Sequence, residues 1–219
     1  MLVDAVIMAK SSMFGKFCFA GINIESGEWL RFISYEDGSP LADFQLMYEN
    51  APGSSNPLDV ARINITGYKP RNNHTEDFTI KLSLLQKIDR WTLNDVLKIH
   101  PAENSIHKFI FGNDKDFIHE SEFQSYGFDY SLILIRVEEL EIYFEEKFKS
   151  NELRGRADFL YNGVRYRNIR VTDPLYEFLF STPKNFRVKF SEAHLVMSMP
   201  VKPFKRNGKY YKLIAKIFA

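Results

Sequence analysis

The residues of this 219-residue chain best suited to chemistry are cations interleaved with tyrosines near its carboxyl end. From Lys147 to Ala219 there are 16 Lys and Arg against 5 Asp and Glu, although the whole chain carries a net charge of only +1. Such cations neutralise phosphates and neighbouring aromatic rings stack on bases, so the pattern points to sequence-tolerant nucleic-acid binding. The candidate contacts are Arg154, Arg156, Arg165, Arg167 and Arg170 on one hairpin, and Lys205, Arg206, Lys209, Tyr210, Lys212 and Lys216 around a second. Alternation on the last strand places Tyr211, Leu213, Ala215 and Ile217 on an apolar face, with Tyr210, Lys212, Ile214 and Lys216 on the other. Arg206 and Lys209 are expected to face each other across the turn. Trp29 and Arg31 form a further candidate pair in the amino-terminal half, since a planar guanidinium suits phosphate or base stacking.

Other chemistries find less support. The stretch Lys10-Ser11-Ser12-Met13-Phe14-Gly15-Lys16 lacks the first glycine of a phosphate loop, and Phe17 stands where magnesium would need Ser or Thr. No G-x-S-x-G elbow supports acyl transfer. The five histidines spell no HExxH, and His74 beside Glu76 and Asp77 fits a solvated loop better than a metal site. Asp129 with Glu145-Glu146-Lys147 has the outline of a D…E-x-K magnesium nuclease, a minor alternative that competes with a plain acidic face. The expectation is a binding protein rather than an enzyme, with no metal and no cofactor. A protein-interaction or adaptor module is the main alternative. Cys18 is the only cysteine, which excludes an intramolecular disulfide and suits a buried strand position.

Charge divides the chain, with 12 basic and 18 acidic residues in 1–130 and 17 and 10 in 131–219. Opposite signs fit two domains with different duties. The first half reads as strands at 2–9, 16–24 and 28–34, a helical turn near 41–48, then strands at 58–69 and 77–84. The second repeats that order: a strand from 131 to 137, with a helix carrying Leu140, Phe144 and Phe148 in register as the alternative for its continuation to 148, two strands (154–161 and 164–171) joined by Asn162-Gly163, and a helix capped by Asp173 and opened by Pro174 through Phe180. Extended segments at 186–190 and 195–199 and a last strand at 209–218 complete it. A β-β-β-α-β-β order suits a five-stranded Greek-key barrel of the OB type. The predicted fold is therefore mainly β, with OB-like barrels at 1–88 and 131–219 and a helical or irregular connector at 89–130 whose helix begins at Trp91. No apolar run spans a membrane and the amino terminus lacks a signal-peptide pattern, so a cytoplasmic location is expected.

Several of these segments together resemble a known family. They are Ala20-Gly21-Ile22 with Gly27-Glu28-Trp29-Leu30-Arg31, the Glu76-Asp77 step, Asn162-Gly163-Val164-Arg165-Tyr166 with Val171-Thr172-Asp173-Pro174, and Tyr210-Tyr211-Lys212-Leu213-Ile214-Ala215. In this order they look like the prokaryotic dual OB-containing domain, over nearly the whole chain. The resemblance implies two OB barrels, nucleic-acid or nucleotide binding, an association with defence systems, and no catalytic residues; the aromatic platforms make a single strand the favoured partner. The chain departs from it at Ser198-Met199-Pro200, where the family has Ser-Leu-Gly.

Overall fold

The computed structural model describes residues 1–13, 15–81, 85–126, 129–146, 153–178 and 187–219, with the side chains of 177 and 178 outside that description. It divides into two compact units, Met1–Pro101 and Ala102–Ala219. The stretch 89–130 is shared between them.

The first unit contains β1 (Leu2–Met13), β2 (Lys16–Asn23), β3 (Trp29–Ser34), β4 (Asp59–Tyr68), β5 (Asp77–Ile80), β6 (Gln86–Arg90) and α1 (Leu93–Ile99). β1, β2, β3, β5 and β4 pair in that order, and β4 pairs again with β1, so the five strands close on themselves. Only the β3–β5 pairing is parallel. The helical turn expected near 41–48 is a short 3-10 turn at Asp43–Leu46 that buries Leu46. Thr92 caps α1 by accepting the Asp95 N–H, and Asp95 accepts the Thr92 N–H in return. The core is apolar and branched, with Ile7, Phe19, Phe32, Leu41, Ile63 and Ile80 all essentially inaccessible.

The second unit contains β7 (Phe117–His119), α2 (Glu120–Tyr126), β8 (Leu132–Glu146), β9 (Leu153–Tyr161), β10 (Val164–Val171), α3 (Pro174–Phe178), β11 (Arg187–Ser198), β12 (Lys209–Tyr211) and β13 (Leu213–Phe218). β8, β9, β10, β13 and β11 form a closed barrel, with β10–β13 its parallel pair. Its strand order and its one parallel pairing therefore repeat those of the first unit. Asp173 caps α3 as its sequence position predicts, accepting the Leu175 N–H at 3.1 Å. The expected last strand is interrupted at Lys212: β12 leaves the barrel to pair with β7, and β13 stays in it. The ends expected for the fifth strand of the first unit (82–84) and for α3 (179–180), together with Phe186, lie outside the described residues. No described helix is long and apolar enough to cross a membrane.

Gly21 marks a close approach inside the first barrel, where a Cβ would sit 2.7 Å from the Val6 carbonyl oxygen. Gly21→Ala must push two paired strands apart and should cost about 1–3 kcal/mol by urea denaturation. An unchanged midpoint would show that β1 and β2 give way freely.

Candidate nucleic-acid interface

The β9–β10 hairpin positions most of the predicted arginines. Its turn residues Asn162 and Gly163 have φ of 48° and 77°, the left-handed values that a tight hairpin turn requires. Tyr161↔Val164, Leu160↔Arg165 and Phe159↔Tyr166 pair as the sequence predicts. Beyond Tyr166 the register slips by one residue, so that Ile169 faces Ala157 and Arg170 faces Arg156 rather than Asp158 facing Arg167. Asn168 at φ 60° absorbs the extra residue, and its N–H donates to Asp158 Oδ1 at 2.8 Å. The bulge rephases the strand. Arg167 and Asn168 are both exposed, Ile169 returns to the core, and Arg170 is exposed again.

Much of the local positive charge is neutralised by β8. Arg156 Nε lies 3.1 Å from Glu145, Arg165 is paired with Glu139, and Arg187 Nη1 is 2.6 Å from Glu141. The acidic run on β8 is thus the counter-charge of the arginine face, and Glu145, half of the nuclease outline, is engaged with Arg156. Lys147 of that outline lies outside the described residues. Arg154 is half-buried opposite Glu145, while Arg167 makes no ion pair among the described residues.

Several expected contacts are corrected. Tyr210 and Lys212 do not point outward: both are buried, and Tyr210 stacks on Phe123 with centroids 4.2 Å apart. A bulge at Ala215 shifts the β11–β13 register between Lys216 and Ile214, so Ile214 and Ile217 both reach the core. Lys216 is 2.9 Å from the buried Asp173, which also accepts the Ile217 N–H, so it holds the strand rather than solvent. Lys209 faces Phe204 across the turn, not Arg206. Lys205 and Arg206 remain exposed. In the first unit Arg31 is buried, with Glu76 at 3.3 Å, Asp77 at 3.8 Å and His74 at 3.5 Å. His74 is therefore part of a buried charged network, not a solvated loop, and burial followed by the Arg31 charge lowers its pKa. Trp29 packs edge-on against His100 at 5.3 Å and is only partly exposed.

β7 contributes an aromatic set that carries no signature in the sequence. Tyr211 and Phe117 pair across the β7–β12 ribbon, as do Lys209 and His119, while the Tyr210–Ile118 pair between them faces the core. Three residues are too few for a periodicity to announce such a strand.

The model of the dual OB-containing domain matches residues 3–217. The chain belongs to the dual OB-containing domain family. Among solved structures, a murine DNA-binding protein bound with double-stranded DNA aligns with 100% of this chain and 97% of its own, at 10% identity and a TM-score of 0.38. No curated protein matches. In OB terms β9 and β10 are the second and third strands of the carboxyl-terminal barrel, and residues 199–208 join its fourth strand to its fifth. At the departure from the family pattern, Met199 is buried and donates its N–H to Ser131.

A buried post holds that barrel to the segment before β7. Lys212 Nζ donates to the Asn113 carbonyl and to Asn113 Oδ1, both at 2.7 Å, and lies 5.2 Å from the Tyr166 ring centroid. Tyr166 Oη also donates to the Asn113 carbonyl and accepts the Ile110 N–H. Burial pushes the Lys212 amine down to about 7, against the opposing pull of Asp114 and Asp116. A neutral amine keeps two N–H donors, the number of Asn113 oxygens it serves. Unfolded Lys titrates near 10.4, so between about pH 7 and pH 10 the unfolded chain binds more protons and stability rises with pH. The slope is at most about 1.4 kcal/mol per pH unit, and Lys212→Met should flatten the rise in urea titrations at pH 7, 8 and 9. The same slope in the variant would place its origin elsewhere.

Proposed function

We propose that the carboxyl-terminal barrel binds nucleic acid, single strands in preference to duplex, on the outer face of β9–β10 and along the 199–208 connection. OB barrels bind oligonucleotides on their second and third strands and on the flanking loops, including the one between strands four and five. The observation that carries the reading is the β10 bulge, which turns both Arg167 and Arg170 to solvent and sets Arg170 directly opposite Arg156. Arg156 is already paired with Glu145, so Arg167 and Arg170 add exposed cations of the kind that contact phosphates to this face. Lys205 and Arg206 add exposed cations on the connection. The protein acts in this reading as a binder rather than an enzyme, and the setting in a prokaryotic defence system rests on the family resemblance alone.

Anisotropy of labelled single-stranded DNA, single-stranded RNA and duplex at two salt concentrations tests it. Binding should weaken steeply with salt, and Arg167→Ala with Arg170→Ala should weaken it for every sequence. That double variant should reduce the log–log salt slope by about 1.4 for a single strand, at about 0.7 for each lost phosphate contact. Arg165→Ala should cost less, because Glu139 already pairs with that guanidinium. Equal affinity of wild type and double variant would remove β10 from the site. Co-purification of a stoichiometric protein partner without nucleic acid would favour the adaptor reading instead.

A further inference from the structure

We infer that the outer face of the β7–β12 ribbon, together with Phe204, is a stacking platform for unpaired bases; this rests on the nucleic-acid reading above and assigns it a part distinct from the arginine strand. Because side chains alternate along a strand, the core-facing pair Tyr210 and Ile118 leaves Lys209, His119, Tyr211 and Phe117 together on the opposite side. None of these four is fully buried. Phe117 and Tyr211 have centroids 6.1 Å apart, and Phe117 and His119 meet edge to face at 5.5 Å. Phe204 extends the set from the turn, 6.4 Å from Tyr211 and 53% exposed. Phe204 does not stand alone but continues the partly exposed rings of Tyr211 and Phe117, and contiguous exposed rings of this kind mark a surface that a ligand with an aromatic face can cover.

The charges around it select the ligand. Lys209 Nζ sits 3.5 Å from the Phe117 ring centroid, and Lys205 and Arg206 stand on the same turn. One carboxylate, Glu120, lies beside Gly208. Lys209, Lys205 and Arg206, beside rings of differing tilt, fit a flexible polyanion that carries its own rings and can turn them outward. A single-stranded nucleic acid does so, whereas paired bases keep their faces stacked in the duplex.

The test uses the full chain with two labelled probes of equal length, an oligothymidylate and a sugar-phosphate strand without bases. Wild type should bind the oligothymidylate about 5- to 150-fold more tightly for each stacked base. Phe204→Ala, at an exposed position, and Tyr211→Leu, which keeps apolar bulk, should each reduce that preference and leave affinity for the baseless strand unchanged. Arg167→Ala with Arg170→Ala should weaken both probes alike and preserve the preference. Equal wild-type affinity for the two probes, or an unaltered preference in both aromatic variants, overturns the platform while leaving the arginine face standing. Absence of wild-type binding to either probe overturns both.

Discussion

The carboxyl-terminal unit depends on one amine placed inside it. A lysine amine buried away from water costs free energy unless its donors are used, and Lys212 uses them on the two oxygens of Asn113. Through that residue the last part of the chain grips the segment at 110–116, whose Ile110 and Phe111 enter the barrel core. Asn113 Nδ2 in turn donates to the Phe117 carbonyl, which fixes the start of β7. The post stands at the break between β12 and β13, beside the ribbon that β12 makes with β7.

The two barrels share a strand order and use the equivalent surface in opposite ways. In the first, the outward side of the third strand at Arg31 is filled by the chain's own groups, with Glu76, Asp77 and His74 closing over the guanidinium and Arg71 also reaching Asp77 at 2.6 Å. Charge there is consumed internally. In the second, the third strand carries Arg165, Arg167 and Arg170 exposed on its outside, with Arg165 paired to Glu139 of β8. The two halves thus differ in that one buries its third-strand arginine and the other exposes three.

How much of this was legible depends on the range of the interaction. The Asn162-Gly163 turn, the cap at Asp173 and the alternation around Tyr161 and Phe159 are local, and the structure agrees with each. The register beyond Tyr166 was not legible, because a bulge leaves no mark in the apolar pattern: Asn168 reads as an ordinary polar strand residue. Tyr210 and Lys212 were assigned to the wrong face for a deeper reason. Alternation counts lysine as outward, and what reverses it is a partner 99 residues earlier in sequence. Arg31 was misplaced likewise, since the acids that bury it arrive from β5 and the turn before it, 45 residues on.

That distance bears on how the molecule is made. The contacts within Met1–Pro101 are complete as soon as that segment has left the ribosome, so the first unit can fold while synthesis continues. The second cannot finish so early, because Ile110, Phe111 and Ile118 must wait for the strand that contains Lys212. During that interval three large apolar side chains lie uncovered on the nascent chain. Loop closure over nearly a hundred residues is slow compared with local pairing, so the contact between Asn113 and Lys212 is a long-range one for this unit to make.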